Sequence, residues 1–212
     1  MTNSDHNGHH DHAGDHSELS ETEIRVRALE SIFVSKGYVD PSTLDVIIDL
    51  YENKIGPKNG ARVVVKAWTD PAFKQWLLTD GTAAVASMGY TGHQGEHIVV
   101  PENTPDVHNI VVCTLCSCYP WPLLGLPPSW YKSAAYRSRV VLDPRSILAE
   151  FGVTLPDTTK IKIWDSTSEM RYLVLPMQPP ASIGWSEDKL IELVNRDSMI
   201  GTRMATDPAT LS

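Results

Sequence analysis

All three cysteines of the chain fall in one six-residue run, Cys113-Thr114-Leu115-Cys116-Ser117-Cys118. That spacing argues against a disulfide framework, because ring closure between such near neighbours is strained and an odd count leaves one thiol over. The fold must therefore be held by an apolar core, and the run itself reads as a loop that curls around one point. Three soft sulfur donors on one loop indicate a metal site.

The core is affordable in size: the chain has 212 residues, of which 42% are hydrophobic. A formal net charge of −8 argues against a nucleic-acid or membrane-surface binder, which would need clustered Lys and Arg. No apolar run is long enough to span a bilayer. Residues 1–20 are polar and carry no hydrophobic stretch, so they do not read as a secretory signal, and a reducing, cytoplasmic setting is the expectation. Within this stretch His6, His9, His10, His12 and His16 lie among Asp, Asn and Gly. The composition is that of a solvated, disordered tail, residues 1–19, with weak metal collection as the sharper alternative.

Order is expected from Ser20, where Ser20-Glu21-Thr22-Glu23 forms a capping box. Ile24, Ala28, Leu29, Ile32 and Phe33 then follow at helical spacing up to Gly37. Asp40-Pro41, Pro57 and Asp70-Pro71 open three further helices, and Thr82 to Met88 a short one. Residues 20–89 thus form a helical N-terminal arm whose apolar faces need a surface to pack against, part of it on another chain. After Gly89 the texture changes to an α+β domain over residues 90–212. Strands are expected at His97–Val100, Asn109–Val112, Lys160–Trp164 and Arg171–Leu175, and helices from Pro128, from Asp143-Pro144 and over Ser186–Asn195, capped by Ser186.

The cysteine run follows a predicted strand directly. A structural zinc site would need a fourth ligand such as His93, His97 or His108. An iron–sulfur cluster lacks its fourth cysteine, and a redox pair of Cys113 and Cys116 leaves Cys118 idle. A further arrangement uses the deprotonated amides of Ser117 and Cys118 as fourth and fifth ligands to a trivalent ion, leaving one position open. Spacing alone favours zinc.

The segment Val112-Cys113-Thr114-Leu115-Cys116-Ser117-Cys118-Tyr119-Pro120-Trp121-Pro122, with Leu124-Gly125-Leu126-Pro127-Pro128-Ser129-Trp130-Tyr131-Lys132 after it, closely resembles the alpha subunit of nitrile hydratases. Gly89-Tyr90, Gln94-Gly95-Glu96-His97, Tyr136-Arg137-Ser138-Arg139, Arg171–Pro176 and Gly184-Trp185-Ser186 extend the resemblance over roughly residues 20–203. It implies a layered α-β-β-α type catalytic domain and a low-spin Co(III) or Fe(III), one per chain. The ion would be held by Cys113, Cys116, Cys118 and the amides of Ser117 and Cys118, with Cys116 as sulfinic and Cys118 as sulfenic acid. Thr114 and Tyr119 look like the cobalt branch. The reaction implied is hydration of a nitrile to an amide, with the sulfenate as nucleophile or as base. Catalytic roles then fall to Cys118, Ser117 and Gln94, and the substrate pocket to Gln94 and Trp121.

Trp130 and Tyr131 read as packing or interface, Arg137 and Arg171 as braces for acidic groups or ordinary ion pairs, and His97 and His108 as satisfied structural histidines. The resemblance also implies a beta subunit that supplies two arginines, an αβ heterodimer or α2β2 tetramer, and an activator for cobalt insertion. The nearest alternative is the cobalt subunit of a thiocyanate hydrolase. A non-catalytic zinc protein is the alternative from another class.

Overall fold

The structure is a computed structural model that describes residues 21–92 and 97–211. The His-rich tail, the Ser20 cap, His93 and Gln94 lie outside the described residues. The chain separates into two compact units, residues 1–46 and 47–212.

In the first unit, α1 (Glu21–Ser35) ends where Gly37 takes a left-handed turn at φ 69°. Asp40 then caps α2 (Pro41–Asp49), its carboxylate accepting from the Ser42 amide at 2.9 Å. Neither helix buries a residue, and Ile24, Leu29, Ile32 and Phe33 of α1 are exposed.

In the second unit a π-helical turn, Leu50–Ile55, leads into α3 (Gly56–Thr69). Val63, Val64 and Val65 of α3 are all buried, the mark of a helix covered over most of its circumference, with Lys58, Arg62 and Thr69 left exposed. Its neighbours are α4 (Pro71–Thr79), α6 (Trp121–Leu124), α10 (Glu187–Leu193) and α11 (Arg196–Ile200). The apolar faces of α3, α4 and α5 (Gly81–Ser87) therefore close largely on this same unit. Helix starts follow the expected chemistry. Asp70 accepts from Ala72 and Phe73 amides, with Pro71 at the first helical position, and Asp80 accepts from Ala83. Ser186 is the exception: it occupies the cap position of α10 without a side-chain hydrogen bond.

Two small parallel sheets supply the β part of the α+β fold. β1 (Ile98–Val99) pairs with β4 (Arg171–Tyr172), and an isolated bridge from Glu102 to Leu175 prolongs the pairing. β2 (Val107–Val112) pairs with β3 (Lys160–Asp165) in a register that sets Val112 beside Asp165. Between β2 and β3 run α6, α7 (Ser129–Lys132), α8 (Ala134–Leu142) and α9 (Pro144–Glu150), the long crossover that parallel strands require. Among the described residues no helix is long and apolar enough to cross a membrane.

His108, on β2, is a structural histidine. Its Nε2–H donates to the Gly201 carbonyl at 2.7 Å, and Nδ1 accepts from the Asn103 amide at 3.4 Å. Burial holds its pKa below the ordinary 6.5, against the opposing effect of the Gly201 hydrogen bond. Because the folded pKa is depressed, the stability due to this neutral imidazole is complete above pH 6.5 and is lost as pH falls below it. Stability from chemical denaturation is expected to drop as pH falls below about 6.5, and His108→Gln should flatten that slope. An unchanged slope in the variant would refute this assignment. Asp197, whose carboxyl is pushed up by burial, acts with the opposite sign in a lower window above its ordinary 3.8.

Candidate metal centre

β2 runs buried to Val112, and Cys113, 1% exposed, follows it directly. The chain then leaves the core: Cys116 is exposed and Cys118 half-buried. The loop returns so that the three sulfurs lie within 4.8 Å of one another. Cys113 Sγ and Cys116 Sγ are 3.3 Å apart, and Cys116 Sγ and Cys118 Sγ 3.2 Å. These are separations of free thiols, far beyond a disulfide bond of about 2.05 Å. Among the described residues this is the one group of metal-ligating side chains, and it contains no histidine. With both ring nitrogens engaged, His108 is unavailable as a fourth zinc ligand.

The polarity inside the loop is uneven. The Cys118 and Cys113 side chains draw the Cys116 thiol down to about 7, helped by the backbone N–H groups of Cys118 and Ser117. Burial, and the neighbouring sulfurs, push Cys118 up to about 12, with the Arg171 charge opposing. The amides of Ser117 and Cys118 therefore face the sulfur cluster. Three soft donors and two inward amides are a donor set that fits a thiolate-bound metal.

Four side chains bear on the shape of the loop. The Tyr136 hydroxyl donates to the Val111 carbonyl at 2.7 Å, fixing α8 to β2 just before the cysteines. Tyr131 donates to the Cys118 carbonyl at 3.0 Å. At the near end, Asp165 accepts from the Thr114 amide at 2.9 Å and from its hydroxyl at 2.6 Å. Arg137 Nη1 reaches the Cys116 carbonyl at 3.5 Å. Asp165 and the hydroxyl role of Tyr131 were not evident from the sequence. The signal for Asp165 was its place at the end of the Lys160–Trp164 run, which needs the parallel register to acquire meaning.

The remaining expected site residues are placed as follows. Ser117 is half-buried in the loop. Trp121 opens α6, half-buried, with its ring edge-on to Tyr51 at 5.6 Å. Tyr119 is buried against Tyr131 at 5.2 Å, and Trp130 packs on Tyr136 and Phe151. Buried Arg171 donates to the Thr167 and Met170 carbonyls.

Asp165→Asn should weaken metal retention by about ten- to a hundredfold, the usual effect of losing a group that orients a ligand. Chelator competition on the purified protein measures it; retention equal to the parent would rule out the Asp165 clamp.

An α+β chain whose strand delivers three converging thiols to an outer loop is a protein with a thiolate metal centre. The chain belongs to the nitrile hydratase alpha-chain family: the profile described as "Nitrile hydratase, alpha chain" matches residues 20–203. A cobalt-containing nitrile hydratase subunit alpha from Pseudonocardia thermophila is 55% identical over 186 residues, covering 87% of this chain and 91% of that one. A solved Fe-type nitrile hydratase from Comamonas testosteroni Ni1, a double mutant, superposes with a TM-score of 0.80 at 41% identity, covering 88% of this chain and 91% of that chain. The gamma subunit of thiocyanate hydrolase from Thiobacillus thioparus is more distant, 38% identical over 206 residues, with 92% and 84% covered.

Proposed function

We propose that the chain is the alpha subunit of a cobalt nitrile hydratase, which adds water to R–C≡N and yields R–C(=O)NH2. The observation that carries this reading is the convergence of the Cys113, Cys116 and Cys118 sulfurs within 4.8 Å in a chain of this family. Those sulfurs and the amide nitrogens of Ser117 and Cys118 would hold one trivalent cobalt. When bound, such an ion polarises a nitrile or lowers the pKa of a water.

The chain's own residues do the positioning. Asp165 and Tyr131 fix the two ends of the loop, so the sulfurs are gathered before any ligand arrives and only the exposed Cys116 stretch between those ends has to close. Ser117, half-buried in the loop, would offer its hydroxyl to the open position, and half-buried Trp121 at the start of α6 would line the substrate pocket. Gln94 contributes an amide that hydrogen-bonds substrate or water. Cys116 is carried as sulfinic acid and Cys118 as sulfenic acid, which adds further negative charge to the loop.

That charge needs a cationic cover, and we assign it to arginines of a beta subunit. The exposed apolar residues of α1 and α2 supply a matching surface for such a partner, which makes an αβ heterodimer or an α2β2 tetramer the working form. Loading uses a cobalt-inserting activator, and a reducing cytoplasm keeps the thiols free until then.

The test is to purify the chain with its natural partner and measure metal, nitrile hydration and thiocyanate breakdown. One cobalt per chain with amide formation supports the proposal. Carbonyl sulfide and ammonia from thiocyanate in place of amide would move the chain to the thiocyanate hydrolase reading. Zinc alone, with neither activity in properly matured protein, would overturn it.

A further inference from the structure

Arg137 is the unexplained arginine of this fold. It lies on α8 one residue beyond Tyr136, whose hydroxyl pins that helix to β2, so its backbone is firmly placed. Other arginines of the structure have made partners. Arg139 pairs with Glu150, Arg145 donates to the Thr159 carbonyl at 2.6 Å, Arg196 to the Leu124 carbonyl at 3.1 Å, and Arg203 pairs with Asp197. Arg137 is half-buried, its Nε is buried with no hydrogen-bond partner among the described residues, and its side chain reaches the Cys116 carbonyl only at 3.5 Å. It faces a hollow of about 420 Å³ beside the cysteine loop, lined by Thr114, Ala134, Ser138, Val141 and Leu142.

A half-buried guanidinium left with one long contact is a poor arrangement for the chain as it stands. It becomes a good one if the loop draws in. The Cys116 carbonyl has two lone pairs, and Nη1 already points a donor at it, so a small inward shift of the loop shortens that contact to an ordinary hydrogen bond. The carbonyl belongs to the residue whose sulfur is the exposed member of the trio, the one that packing holds least.

We propose that Arg137 is a positioning residue that latches the cysteine loop: when the loop closes on a metal, Nη1 takes the Cys116 carbonyl and the guanidinium charge offsets the negative charge gathered there. This rests on the metal-centre reading above. The latch lies within the chain, on the α8 side of the loop, and is separate from any cation a partner supplies.

The experiment uses the assembled protein with its partner, loaded with cobalt. The readout is the half-time of bleaching of the sulfur-to-metal charge-transfer band in chelator plus reductant, with cobalt content by elemental analysis. Arg137→Met should release metal about ten- to a hundredfold faster than the parent, as expected for loss of a group that orients a ligand. Arg137→Lys keeps the charge but not the planar guanidinium donor and should fall between the two. A parental half-time in Arg137→Met overturns the latch. Should that variant fail to assemble, a parental half-time in Arg137→Lys overturns it equally. A parent that takes up no cobalt overturns the metal-centre reading itself, and the latch with it.

Discussion

Cys116→Ser is expected to leave the chain folded and nearly free of metal. Cys116 is exposed, so the core loses little when its sulfur becomes an oxygen. What is lost is the central member of the trio, the thiol that lies 3.3 Å from Cys113 Sγ and 3.2 Å from Cys118 Sγ. A serine hydroxyl stays protonated near neutrality and is a hard, weak donor, whereas the Cys116 thiol is drawn down to about 7. Removing a ligand itself should cost more than the ten- to hundredfold that follows loss of a group that only orients a ligand. Elemental analysis of the variant purified with its partner is the direct check, with nitrile turnover beside it and a thermal melt as the folding control. Parental cobalt content and turnover in Cys116→Ser would refute the role given to the trio.

The contrast with the hydrogen-bonding residues around the loop is informative. Asp165 and Tyr131 do not touch the sulfurs; they hold the Thr114 and Cys118 backbone on either side. Their loss should loosen the site by degrees. The loss of Cys116 should remove it.

Much of this was legible in the chain because the signals are local. Asp40-Pro41 and Asp70-Pro71 start helices since a carboxylate one residue before a fixed-φ proline satisfies the first free amides, and both do so here. Gly37 ends α1 because a left-handed turn is cheap there. The cysteine run is local too, and three sulfurs so spaced have few ways to avoid one another. The four strands were expected in the right places, though β1 and β4 are shorter than their apolar runs; beyond them Leu173 and Leu175 still donate to the Val99 and Pro101 carbonyls at 3.1 and 2.9 Å.

What could not be read is non-local. Parallel pairing joins residues some fifty positions apart, Val107 with Lys160 through Val112 with Asp165, and no periodicity encodes a partner. Asp165 therefore looked like the polar end of a strand, not the clamp on Thr114. The short helix α11 was missed because its five residues are too few for a helical pattern to show, and it is held by the Asn195 cap and its buried Met199 and Ile200. Ser186 carried a sound capping signal, yet its hydroxyl makes no cap bond, so its composition placed the helix without supplying the interaction.

Gly201→Ala is expected to destabilise the fold by about 3 kcal/mol or more, lowering the melting temperature by roughly 8 °C in a chain of this size. Gly201 ends α11 in the left-handed region, φ 90°, where a side chain is strained in itself. Space is the larger problem: a Cβ there would lie 1.9 Å from the Asn109 carbonyl oxygen and 3.0 Å from Ile110 Cα. Both are backbone of β2 and cannot swing aside as a side-chain tip would. Gly201 also accepts the His108 hydrogen bond, so displacement breaks that 2.7 Å contact as well. Gly152→Ala is the matched control, because Gly152 is also left-handed, φ 81°, but has nothing within 4 Å of the new methyl. It should cost only about 1 kcal/mol. Equal melting temperatures for the two variants would show that the close approach to Asn109 carries no energy. The consequence reaches the cysteines, since Asn109 and Ile110 lie on the strand that delivers Cys113. A shifted β2 moves the first sulfur relative to the other two, so Gly201→Ala should lose metal from protein that is still folded, in addition to melting earlier.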